Sequence, residues 1–194
     1  MGSSRGDTLI EVMMAISIMA IVVVGTFSVM NKGLANMYDS LEVSEVQQLI
    51  NRQAESLRYA RDQYLARKNG HTLSASDNEA ADVWVNSLGN ASGVGNWSGE
   101  TAVPRMDNCD VTTNAFFIQR SAGGASITVG TNNSFGFKAV AAGFPSPGNG
   151  IWIQRTSSAA GVPYKDFFIR ACWQSVGGGD EKQVLSTIVR LYDQ

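Results

Sequence analysis

Gly6-Asp7-Thr8-Leu9-Ile10-Glu11-Val12 opens a run that continues Met13-Met14-Ala15-Ile16-Ser17-Ile18-Met19-Ala20-Ile21-Val22-Val23-Val24-Gly25-Thr26-Phe27-Ser28-Val29-Met30. Past Glu11 this run carries no charge and no Pro, and its only polar side chains are Ser17, Thr26 and Ser28. A helix rising about 1.5 Å per residue crosses a hydrocarbon layer of roughly 30 Å with about 20 residues, so Leu9 to Met30 is long enough to span a bilayer. A cleaved secretory signal has a shorter apolar core, about 7–15 residues, and a small-x-small exit. Here the run is longer and no Ala-x-Ala follows it, so the span is expected to stay with the mature chain. Arg5 before it and Lys32 after it favour a cytoplasmic N-terminus only weakly. Glu11 is the anomaly. An unpaired carboxylate inside a membrane costs at least about 2.5 kcal/mol at the helix centre, so this one asks for a partner.

The helical pattern does not end at the membrane. Leu34, Met37, Tyr38, Leu41, Val46, Leu49, Ile50, Ala54, Leu57, Tyr64 and Leu65 recur mostly at spacings of three and four, with Asp39, Glu42, Glu45, Arg52, Glu55, Arg58, Arg61 and Asp62 between them. Glu55–Arg58 and Arg58–Asp62 have helix-pair spacing. No Pro occurs before residue 104, so the sequence predicts one nearly continuous helix from about Leu9 to Lys68, stopped by Asn69-Gly70. A lone coiled-coil stalk fits poorly, because the heptad pattern is loose and the first third is apolar all round.

After Gly70 the composition changes. All four Pro, all four Trp and both Cys lie in this later part, and short β-branched and aromatic runs alternate with Gly-rich turns. Ser76-Asp77-Asn78-Glu79 has capping-box spacing and predicts a short helix over 77–88 with Trp84 packed on the domain. Residues 89–108 read as a long loop. Strands are predicted over 115–120, 126–130, 134–140, 151–155, 166–174 and 183–192, the last two joined as a hairpin through residues 177–182. Alternation puts Phe167, Ile169, Ala171 and Trp173 on the face that should cover the long helix, and Phe168, Arg170 and Cys172 on the other. The fold class is therefore α+β: a long helix, hydrophobic then amphipathic, packed through its C-terminal half on a small antiparallel β-sheet head.

In the first segment, Gly6, Thr8, Leu9, Ile10 and Glu11 before a greasy helix resemble the type III prepilin signal of bacterial type IV pilins and of the pseudopilins of type II secretion and competence systems. The resemblance is strong over residues 5–30 and general over the helix to about 68. It implies a leader, residues 1–6, removed by an inner-membrane prepilin peptidase between Gly6 and Asp7, followed by N-methylation of Asp7. It also implies a transmembrane and filament-core helix over 7–30, an amphipathic half over 31–70 and a pilin head over 71–194. Glu11 would be the assembly contact, meeting the amino terminus of a neighbouring subunit. The implied protein is a structural subunit, major or minor, of a type IV pilus serving adhesion, motility or DNA uptake; the alternative is a pseudopilin. Its implied partners are other pilins or further copies of itself, the prepilin peptidase, the pilus assembly platform and the inner membrane. It would sit in the cytoplasmic membrane as a single-pass protein with its head outside, then move to the pilus at the cell surface. The sequence departs from the family at Asp7, where Phe is usual, and in having no helix-breaking Pro; Gly25 is left as the point for close packing or local unwinding.

Chemistry in the head is sparse, and no catalytic residue is expected. His71 is the sole histidine, so a histidine-based triad would need that residue at the neck. Asp107, Asp110, Asp180 and Glu181 lack the spacing of a calcium loop, although some secretion pseudopilins bind calcium in a C-terminal loop; otherwise no cofactor or metal is expected. For Cys109 and Cys172 two readings stand: buried thiols, or a disulfide if the head lies outside the cytoplasmic membrane. Trp97 and Trp152 fit either surface contacts or core positions. With 15 Lys and Arg against 17 Asp and Glu, the chain advertises no general nucleic-acid surface. Phe117-Ile118-Gln119-Arg120 and Trp152-Ile153-Gln154-Arg155 echo one another, with no function attached.

Overall fold

The computed structural model describes residues 7–88, 96–97, 109, 115–120, 127–131, 150–156, 164–174 and 182–192. The predicted 1–6 leader, 134–140 strand and 177–181 turn, and all of the 89–108 loop except 96–97, lie outside the described residues. Helix α1 runs unbroken over Asp7–Lys68, through Gly25 and Gly33, so Gly25 does not unwind it. The chain divides into two compact units, residues 1–41 and 42–194.

Within the first unit, the large apolar side chains from Leu9 to Met30 are exposed, Ile21 by 73 %. Two of the hydroxyls on this stretch are satisfied by the helix itself. Ser17 Oγ donates to Met13 O at 2.8 Å, and Thr26 Oγ1 donates to Val22 O at 2.5 Å and Val23 O at 3.2 Å. This removes their desolvation cost in an apolar surround.

In the second unit, α1 buries Val46, Ile50, Ala54, Leu57 and Ala60, a stripe at spacings of four and three. Arg58 pairs with Glu55 at 2.5 Å, as its spacing predicts. Asp62 instead pairs with Arg61 at 2.8 Å, not with Arg58: Arg58 is already engaged one turn back. The helix ends as Asn69-Gly70 predicts. Gly70 takes φ +82°, its N–H reaches Arg67 O, and the His71 N–H reaches Ala66 O, both at 3.0 Å. These are the paired bonds of a Schellman stop, which a side chain with a Cβ would strain.

Helix α2 covers Ala75–Val83 and runs into a π-helical turn at Trp84–Leu88. Its cap is Ser74, whose Oγ accepts the Asp77 N–H at 3.3 Å, rather than Ser76. Ser74 and Asp77 have the same box spacing as Ser76 and Glu79, and the earlier pair wins because Asp77 is also bound by Tyr59 of α1.

Strands β1 (Asn96–Trp97), β2 (Phe116–Arg120), β3 (Ile127–Thr131), β4 (Gly150–Thr156), β5 (Tyr164–Gln174) and β6 (Lys182–Tyr192) form one sheet. The order β3-β2-β4-β5-β6 is antiparallel throughout, and β1 adds parallel to β4. The β5–β6 hairpin is paired along its whole length, from Tyr164 opposite Tyr192 to Gln174 opposite Lys182.

As the alternation predicts, Phe167, Ile169, Ala171 and Trp173 join the α1 stripe, together with Phe116, Ile118, Ile127, Ile153, Val189 and Leu191 of the sheet and Trp84 and Leu88 above it. Trp84 is 5.9 Å from Phe167, centroid to centroid. Burying a side chain such as Leu57 in full stabilises the unit by about 2 kcal/mol. The other sheet face is buried as well at Phe168, Arg170 and Cys172. There Cys109 and Cys172 form a disulfide, Cα atoms 5.7 Å apart, packed with Ala115 and Trp152. Trp152 is fully buried, which removes it from the surface-contact reading. The two echoing tetrapeptides put Ile118 and Ile153 into the same core, but Gln154 and Arg155 are buried where Gln119 and Arg120 are exposed.

Candidate functional site

The N-terminal turns of α1 place Asp7 and Glu11 one turn apart, with Leu9, Ile10, Val12, Met13 and Met14 exposed around them. No Pro or Gly interrupts the helix before Gly25, and Leu9, Met13, Met14 and Ala15 favour it, while Thr8, Ile10, Val12 and Ile16 are β-branched and favour it less. Glu11 is exposed and makes no hydrogen bond or ion pair among the described residues. The hydroxyls of Ser17 and Thr26, by contrast, are closed on the helix's own carbonyls. Glu11 is thus the one ionisable group on the Leu9–Met30 stretch, and its binding capacity is open. By length and composition α1 is also the one helix among the described residues able to cross a membrane.

Of the catalytic and metal-ligating candidates in the sequence, only His71 lies among the described residues. His71 is exposed, directly after the α1 stop. Asp107, Asp110, Asp180 and Glu181 lie outside the described residues, and among those described no group of His, Cys, Asp and Glu is gathered to hold a metal.

Several polar contacts were not legible beforehand. The Tyr59 hydroxyl donates to Asp77 Oδ1. That bond, then the Ser74 hydroxyl, hold the Asp77 carboxyl below its usual range, while the carboxylate and burial raise the Tyr59 phenol. Arg120 lies over the Tyr59 ring, 4.9 Å from its centroid. The indole N–H of Trp173 donates to Glu42 Oε2 at 3.3 Å. Gln53 bonds the Ile118 backbone on both sides, donating to its carbonyl at 3.0 Å and accepting its N–H at 2.9 Å. Arg155 is buried and donates to Leu88 O at 2.6 Å; burial lowers its pKa, and burial followed by the Arg155 charge lowers that of Lys165. These groups tie α1 and α2 to the sheet and present no nucleophile beside a base.

Comparison with known proteins bears on the first segment. Residues 1–27 match the family described as the prokaryotic N-terminal methylation motif. Searches among curated proteins and among solved structures gave no match to the chain. The motif implies processing by a prepilin peptidase and assembly with other pilins, and it suits a structural subunit better than an enzyme. Its match ends before Ser28 and includes Gly6, Asp7 and Glu11, so the chain carries the type IV prepilin signal at the head of its long helix.

Proposed function

We propose that this chain is a structural subunit of a type IV pilus, anchored in the cytoplasmic membrane by α1 until it is drawn into a filament. The observation that carries this reading is Glu11, a carboxylate with no partner among the described residues, on an exposed, all-round apolar helix segment inside a methylation motif. Cleavage between Gly6 and Asp7 creates an α-ammonium whose ordinary pKa is about 7.7–8.0, and methylation of one hydrogen leaves it able to carry charge. In an apolar bundle an ammonium and a carboxylate are best compensated by each other, so the terminus of one subunit seats on Glu11 of the next. The apolar side chains around Glu11 then exchange lipid for neighbouring helices. Asp7 stands at helix-neighbour spacing from Glu11, so this subunit offers its own terminus a second carboxylate and weakens the pairing compared with an apolar first residue.

The experiment is to shear cells expressing wild type or Glu11→Ala and to quantify the chain in the filament and membrane fractions. The account expects the variant to remain in the membrane at wild-type level and to fall at least about tenfold in the sheared filaments. Equal recovery of the two proteins in filaments would show that Glu11 is dispensable. Filaments confined to the envelope, never sheared from the surface, would move the assignment to a pseudopilin.

A further inference from the structure

Between α1 and the sheet lies a cleft of about 740 Å³, walled by α1 from Gln48 to Ser56 and by Ile118 and Arg120 of β2 and Ile151 of β4. That volume falls within the range of small-ligand pockets, about 300–1,000 Å³. Leu49, Ile118 and Ile151 supply its apolar surface. Three of its polar side chains are already engaged. Gln53 donates to the Ile118 carbonyl and accepts the Ile118 N–H, so the cleft offers a peptide backbone no strand edge at that residue. Glu55 is held by Arg58 at 2.5 Å, and Ser56 Oγ donates to Arg52 O at 2.9 Å.

Four polar side chains on the lining remain: Gln48, Asn51 and Arg52 of α1 and Arg120 of β2. Among the described residues none of the four side chains makes a hydrogen bond or an ion pair. Gln48, Asn51 and Arg52 stand at i, i+3 and i+4, so they share one face of the helix. Arg120 lies over the Tyr59 ring, 4.9 Å from its centroid, a placement that leaves the N–H edges of its guanidinium for a ligand. Guanidiniums on two walls suit a ligand with more than one carboxylate, since each binds a carboxylate through paired N–H bonds. Side-chain amides offer a donor and an acceptor each, which matches hydroxyl groups. No aromatic ring lines the cleft among the described residues, so it lacks the stacking platform of a nucleic-acid site.

We propose that this cleft binds an acidic saccharide, a short run of linked uronate units, with carboxylates on Arg52 and Arg120 and hydroxyls on Gln48 and Asn51. The site lies wholly within the second compact unit. Processing or filament incorporation can therefore fail without touching it.

The test is calorimetric titration of the full-length chain in detergent micelles with trigalacturonate and with triguluronate. Saturable binding of at least one is expected, weakened about tenfold or more by Arg52→Gln and by Arg120→Gln, with unchanged melting temperatures to show that the variants fold. Asn51→Ala should weaken it about threefold or more, through lost hydroxyl contacts. Maltotriose, a neutral trimer, should not bind. No binding of either uronate trimer, or binding that both arginine variants retain, would overturn the proposal. Equal binding of citrate would overturn it in favour of a general carboxylate site, and tighter binding of an acidic peptide of Thr-Glu repeats would overturn it in favour of a protein partner.

Discussion

The hydroxyl of Tyr59, on α1, donates to the carboxylate of Asp77, in the first turn of α2. The same carboxylate accepts from the Ser74 cap hydroxyl at 2.7 Å, and Arg67 of α1 pairs with Asp82 of α2 at 2.7 Å. One acidic side chain therefore closes the cap of α2 and fastens that helix to α1. Its position also suits the positive end of the helix dipole.

This relationship has a pH signature. The folded pKa of Asp77 lies below its unfolded value of about 3.9, so its contribution is complete above that value and is lost as pH falls through the folded pKa. Tyr59→Phe removes the largest cause of the shift. Acid titration followed by far-UV circular dichroism should show Tyr59→Phe and Asp77→Asn both less stable than wild type at pH 7, with the deficit shrinking as pH falls below about 4, where wild type loses the same contribution; Asp77→Asn should lose this pH dependence altogether and Tyr59→Phe most of it. Titrations superimposable on wild type for both variants would show that the contact contributes nothing.

The Cys109–Cys172 bond spans 63 residues of sequence. Loop closure of that length stabilises by about 4 kcal/mol in the chain-entropy picture. The double variant Cys109→Ser/Cys172→Ser should melt roughly 10 °C lower than wild type by calorimetry. Adding reductant should lower the wild-type midpoint towards that of the variant and leave the variant where it was.

Gln53 is expected to matter to the sheet rather than to the helix that bears it. Gln53→Ala leaves the Ile118 N–H and C=O without their partner, at a cost of about 1–3 kcal/mol unless water from the cleft replaces it. Hydrogen exchange read residue by residue should show the Ile118 amide exchanging faster, while amides of the buried α1 stripe around Ala54 and Leu57 keep their relative protection. Unchanged exchange at Ile118 would mean that water substitutes fully for the glutamine.

The architecture was legible where the signal is local and repeated. The absence of Pro from Leu9 to Lys68 and the three-and-four spacing from Leu34 to Leu65 foretold α1, and Asn69-Gly70 foretold its stop, because only glycine adopts φ +82° without penalty. Strict alternation in β5 sorted Phe167 from Phe168 correctly, each onto its own face. What local pattern did not decide was the choice between equivalents. Ser74 and Ser76 offer the same cap, and only Tyr59, distant in sequence, selects between them. Trp152 was ambiguous because β4 is covered on both faces, so alternation no longer separates inside from outside. The bond from Gln53 to Ile118 crosses 65 residues and has no sequence signature at all. Of the N-terminal site, the residue types were legible in full, since Gly6, Thr8, Leu9, Ile10 and Glu11 form one short pattern. The partner proposed for Glu11, a neighbouring subunit's amino terminus, came from the family resemblance alone, since no described residue of the chain pairs with Glu11.

The central claim is that Glu11 awaits a terminus that exists only after the leader is removed, and intact-mass and N-terminal peptide analysis of the chain isolated from membranes tests it most directly. The account predicts a mature chain beginning at Asp7 with a methylated α-amino group. A chain that still begins at Met1, or one that begins beyond Met30, would contradict it.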